Sequence, residues 1–292
     1  MELVNIGLRL VQYVSLLTLF GLAAFAAYAP RAAAFLPRGR GLLSLALVGL
    51  LASIAAIFVL AANMTGDIAG ATDPSTLWTV ISGTAAGRAW TVRLIALAAA
   101  SGALRFRSPH PLLVASGLAA TTLAWGGHAA ADAGAFGIGH LAADMLHILA
   151  AGVWIGALVA FFRLVMRGGD STGASASALA AFSGVGSAVV AVLIGTGLIN
   201  ALYAVEWRPL LLLTASLWGW LLLAKLALFG AMLGVAALNR FILTPRLQAE
   251  IPNGAAGSLS DLRRSLVLET SLAFGVVALV SVLGTLAPPA TG

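Results

Sequence analysis

His140-Leu-Ala-Ala-Asp144-Met-Leu-His147-Ile-Leu-Ala-Ala-Gly152-Val-Trp154-Ile-Gly156 puts two imidazoles and a carboxylate into a stretch otherwise apolar enough to cross a bilayer. On a helix, His140, Asp144 and His147 fall at i, i+4 and i+7 and share one face. Hydrocarbon penalises ionisable side chains by roughly 2.5 to 3.5 kcal/mol each on insertion scales, so such groups face a bundle interior and usually serve a function. Imidazole and carboxylate are both metal-ligand types. The stretch therefore predicts a metal site built into a membrane helix bundle.

Composition around it agrees. The chain has 292 residues, 61% hydrophobic and 9% charged, with a mean hydropathy of +1.03. That excludes an ordinary soluble domain and a disordered chain. The net charge of +6 does not point to nucleic acid, because the basic residues sit in short clusters between apolar runs, as orientation signals do. Cysteine is absent, which excludes disulfides, Cys-type zinc sites and iron–sulfur clusters. The N-terminal apolar run lacks a basic leader and is expected to be a first retained span.

A spanning helix needs roughly 20 apolar residues. Eight candidates occur, at about 4–28, 42–65, 88–104, 110–130, 139–163, 176–204, 210–240 and 264–287. Period-2 alternation is not sustained, which argues against a β-barrel. The expected fold is all-α: a polytopic membrane helix bundle of eight transmembrane helices, forming a single transmembrane domain over 1–292. Arg31, Arg38, Arg40, Arg105, Arg107, Arg163, Arg167, Arg240, Arg246, Arg263 and Arg264 fall in the connections on one side, against Arg88 and Arg208 on the other. By the positive-inside rule the arginine-rich side is cytoplasmic and both termini are external, periplasmic in a Gram-negative cell. The external connection 66–87 is expected to hold a short interfacial helix anchored by Trp78. Gly152-x-x-x-Gly156 and Gly230-x-x-x-Gly234 both permit close helix approach.

This orientation gives the polar residues a depth. His140 is expected at the external mouth of span five, with Asp144 about 6 Å and His147 about 10 Å further in. Trp154 continues the stripe as a packing gate below the site. His128 ends span four on the same side, and Asn63 and Met64 close span two near that level. His128, His140, His147, Asp144 and Met64 are the candidate metal ligands, Asp144 serving either as ligand or as the carboxylate that orients an imidazole; Asn63 is a supporting candidate. Histidine with methionine suits copper, and histidine with carboxylate also suits zinc, iron or nickel. Lys225 and Glu269 lie at membrane depth in spans seven and eight and are expected to form an ion pair, or a proton or ion relay. Arg88 and Arg93 are expected to pair with Asp67 or Asp73.

Four stretches then carry a family resemblance: Asp144-Met-Leu-His147 through Trp154-Ile-Gly156; Gly195-Thr-Gly-Leu-Ile-Asn200; Trp218-Gly-Trp through Lys225, with Asn239-Arg240-Phe and Thr244-Pro245-Arg246; and Leu262-Arg-Arg-Ser through Glu269 to Leu283-Gly-Thr-Leu-Ala-Pro-Pro289. Together they resemble the copper resistance D (CopD) family of bacterial inner-membrane proteins, well over about 139–289 and more loosely in the N-terminal third. The resemblance implies an eight-helix protein that transports copper from the periplasm across the inner membrane, beside a periplasmic copper-binding partner of the CopC type. The competing reading is a b-type haem protein with His147 and His128 or His140 as axial ligands. A zinc enzyme is disfavoured, because neither a His-Glu-x-x-His motif nor a recognisable catalytic serine or cysteine constellation occurs; no enzymatic activity is expected.

Overall fold

The structure, a computed structural model, describes residues 2–36, 39–127, 134–167, 171–205, 214–250 and 256–286, and these are helical with no strand among them. The helices in chain order are α1 (Glu2–Tyr28), α2 (Pro30–Ala33), α3 (Arg40–Thr65), α4 (Pro74–Gly83), α5 (Ala85–Ala103), α6 (His110–Thr121), α7 (Gly134–Arg167), α8 (Ser171–Val205), α9 (Leu217–Leu238), α10 (Thr244–Glu250) and α11 (Ala256–Leu283). A 3-10 turn, Thr122–Gly126, extends α6, and a π turn, Asn239–Leu243, joins α9 to α10.

Helix α1 is the hub. It is apolar on nearly every face and is buried from Gln12 to Phe25 at every position but Val14, as a helix without a hydrophilic stripe must be. It packs against α3, α6, α7 and α11. Its closest approach is to α7, where Gly21 lies against Gly152 and Gly156 so tightly that a Cβ on Gly21 would sit 2.6 Å from the Gly156 Cα. Below that crossing Phe25, Phe161 and Phe182 stack edge to face, at centroid separations of 5.6 and 5.5 Å. Several buried hydroxyls are satisfied within their own helices, as Ser15 is by the Val11 carbonyl and Ser53 by the Gly49 carbonyl.

The 66–87 connection does contain a short helix, α4. Asp73 caps it by accepting from the Thr76 N–H at 2.8 Å, and Pro74 occupies its first turn. The Ser75 hydroxyl and that N–H hold the Asp73 carboxyl below the usual carboxylate range. Trp78 is exposed. Helix α3 ends on Gly66, whose φ of +73° is left-handed and suits glycine.

Among the described residues six helical segments are long and apolar enough to cross a membrane: Glu2–Tyr28, Arg40–Thr65, Gly137–Arg167, Ser177–Tyr203, Leu217–Glu250 and Gly257–Leu283. The expected spans three and four correspond to α5 and to α6 with its 3-10 extension. Helix α5 carries Arg88 and Arg93, and α6 has only 12 residues, so neither qualifies. The count of eight is therefore not reached on length and apolarity.

Helices α7 and α8 form one antiparallel pair and α9 and α11 another, joined through α7 against α11, whereas α8 and α9 hardly touch. The result is a cleft flanked by α8 and α9, with α7 and α11 as its floor. Leu198, Trp220 and Leu226 are exposed on its flanking helices, apolar surface that suits lipid contact.

Candidate metal centre

The polar residues of α7 are matched, one for one, by residues of α8. His140 stacks on Tyr203 with centroids 4.3 Å apart and planes 8° from parallel. Asp144 Oδ1 accepts from Asn200 Nδ2 at 3.2 Å. His147 Nδ1 lies 2.9 Å from Thr196 Oγ1. Because 196, 200 and 203 repeat the i, i+4, i+7 spacing on an antiparallel neighbour, the two stripes meet as a continuous polar seam.

The Thr196 hydroxyl donates to the Val192 carbonyl at 2.6 Å, so its one proton is committed and towards His147 it can only accept. This assigns the hydrogen of that contact to His147 Nδ1, the way a neighbour orients an imidazole; the ring also bonds the Leu193 backbone. Gly197 packs beside the ring, where a Cβ would come within 3.6 Å of Cε1. Asp144 uses only Oδ1 for Asn200, and a Cβ on Gly127 would lie 3.6 Å from Oδ2. Arg9 of α1 and Lys225 of α9 both interact electrostatically with Asp144. A cation arriving at this carboxylate therefore competes with two fixed positive charges.

Several expectations change in the structure. His140, expected at the external mouth of its span, is buried at 6% exposure and stacks on Tyr203. His128 lies outside the described residues, although Gly127, its neighbour in sequence, reaches Asp144. Met64 and Asn63 are exposed at the end of α3, which packs on α1, α4 and α5 rather than on α7 or α8; tertiary packing gives them no place in the seam. Among the described residues no three His, Asp or Glu side chains group closely enough to hold one ion. The reason is visible in the seam, whose α8 partners draw the rings of His140 and His147 to points two helical turns apart.

The expected Lys225–Glu269 pair is replaced by other partners. Lys225 interacts with Asp144, while Glu269 accepts from Trp154 Nε1 at 2.9 Å and from Asn239 Nδ2 at 2.7 Å. Trp154, expected as a packing gate, is buried and acts as a hydrogen-bond donor. Arg93 is satisfied by Thr122 Oγ1 at 2.8 Å, the Thr122 carbonyl at 2.9 Å and Gln12 Oε1 at 3.3 Å, not by an aspartate. Arg88 likewise reaches the Ser82 carbonyl. Thr196, Asn200 and Tyr203 received no role from the sequence, yet the repeated i, i+4, i+7 spacing was a readable signal.

A bundle of long apolar helices with a buried imidazole–carboxylate seam is a polytopic membrane protein. The chain belongs to the copper resistance protein D family: residues 176–283 match that family's model, and residues 1–138 match the model of the copper resistance protein D-like N-terminal domain. The loosely resembling N-terminal third is thus a matched region, and α7 falls almost wholly between the two. The chain is 36% identical to Copper resistance protein D of Pseudomonas syringae pv. tomato, covering 97% of this chain and 96% of that protein. It is 28% identical to the inner membrane protein YebZ of Escherichia coli, covering 97% and 98%. No solved structure is significantly similar.

Proposed function

We propose that this protein sits in the bacterial inner membrane and carries copper across it from the periplasm, with His147 and Asp144 as the binding station. The observation that carries the reading is the committed Thr196 proton, which orients the His147 imidazole within a seam that also holds a carboxylate. Copper is the cargo here; imidazole suits it, and His140 supplies a further imidazole on the same helix. With the arginine-rich side inward, α5 and the extended α6 complete eight crossings, and both termini face the periplasm. A periplasmic CopC-type protein is the expected donor. Asp144 balances the ion's charge, while Arg9 and Lys225 keep the site from trapping it.

The deciding measurement is metal content of purified protein with and without added copper, followed by copper flux into proteoliposomes. Near-stoichiometric copper and flux above empty vesicles are expected. A copper-free protein showing a sharp Soret band on reduction would overturn the reading in favour of haem. Thr196→Val removes the acceptor that fixes His147, so copper affinity should fall about 10- to 100-fold; titration with a competing chelator checks this. An affinity equal to wild type would show that the tautomer is set elsewhere.

A further inference from the structure

A second polar centre lies nearer the arginine-rich side and takes no part in the copper seam. A cavity of about 320 Å³ is bounded by α7, α8, the end of α9 and α11, and Glu269, Asn239, Trp154, Ser187 and Arg240 are among its lining residues. Glu269 is 3% exposed and Asn239 6% exposed. Both carboxyl oxygens of Glu269 accept from neutral donors, Oε1 from Trp154 and Oε2 from Asn239. The Asn239 Oδ1 is buried with no hydrogen-bond partner among the described residues.

Such a carboxylate in a membrane needs a counter-cation or a proton. The basic groups on α11 and on the helices packed against it have other partners or are exposed. Lys225 interacts with Asp144, Arg9 donates to the Gly126 carbonyl, Arg167 to the Phe35 carbonyl, and Arg263 of α11 itself to the Val165 carbonyl. Arg163 and Arg246 are exposed. Arg240 lines the cavity, but its guanidinium donates to Ser187 and lies over the Phe241 ring. Of the titratable groups on these helices, His140 stacks on Tyr203, His147 meets Thr196, and Tyr13 lies under Arg9.

We propose that Glu269 is a proton-exchange site served by this cavity. When the carboxyl is ionised, the Asn239 amide donates to it and leaves Oδ1 unpaired, at a cost of about 1–3 kcal/mol for such a buried group. When the carboxyl takes up a proton, the amide turns over and Oδ1 accepts the new O–H. The new O–H and Oδ1 are then paired with each other. Asn239 opens the π turn, an element frequent at functional sites. The oxygen-only donors suit a proton better than copper.

Infrared difference spectra of chelator-treated full-length protein in nanodiscs, recorded between alkaline and acidic buffer, test this without any copper. A carboxylic-acid carbonyl band is expected to grow on acidification, to shift in frequency in Trp154→Phe, which loses one donor to Oε1, and to be lost in Glu269→Gln. Absence of the band while the protein remains folded overturns the proposal. So does its persistence in Glu269→Gln, or an unshifted band in Trp154→Phe. Because the sample is metal-free, either result leaves the copper reading untouched.

Discussion

Gly156→Ala is expected to destabilise the protein by about 3 kcal/mol, the upper end for overpacked cores. The added Cβ would meet backbone, not a flexible side chain: it would lie 2.5 Å from the Gly21 carbonyl oxygen, with the Gly21 Cα and carbonyl carbon closer still. No rotamer change relieves that, so α1 and α7 must separate. Since α1 is the element on which α3, α6, α7 and α11 converge, the separation loosens the whole bundle. Gly184→Ala in α8 is the control, because nothing lies within 4 Å of its Cβ position, and it should be neutral or gain up to about 1 kcal/mol from helix propensity. Thermal melting in detergent, followed by fluorescence size exclusion, separates the two. Equal melting of both variants would mean that the α1–α7 crossing is looser than described.

His147→Ala is expected to abolish stoichiometric copper binding while leaving insertion and melting nearly unchanged. The ring is half-buried and bonds Thr196 and the Leu193 backbone, so its loss removes little packing. It removes the imidazole whose ring the neighbouring helix has already oriented. The effect should exceed that of Thr196→Val, which keeps the ligand and frees only its orientation. Copper per protein after desalting is the readout. Wild-type stoichiometry in the mutant would exclude His147 as a ligand and leave the copper proposal without its central residue.

The relation between chain and fold is clearest in the glycines. Gly152-x-x-x-Gly156 and Gly230-x-x-x-Gly234 are the same pattern in sequence. In the structure the first seats α1 against α7, and the second has nothing within 4 Å of either Cβ position. Which small-residue face meets a neighbour depends on the rotation of each helix in the bundle, and a local pattern carries no information about that. Charge pairing behaved likewise. Lys225 and Glu269 both lie within the membrane span, yet that does not say which helix faces share an interior; α9 presents Lys225 to Asp144, and α11 presents Glu269 to Trp154 and Asn239.

Hydropathy and charge alone determined that this chain is a helical, multi-pass membrane protein, and helical periodicity placed His140, Asp144 and His147 on one face. Those properties are local, set by a backbone that must satisfy its own hydrogen bonds in lipid and by a repeat of 3.6 residues per turn. Only the tertiary structure decided that α8 supplies Thr196, Asn200 and Tyr203, that Met64 and Asn63 stand apart, and that Glu269 has a cavity of its own. Helix azimuth and neighbour choice are settled by packing across the whole bundle, through contacts between residues tens of positions apart.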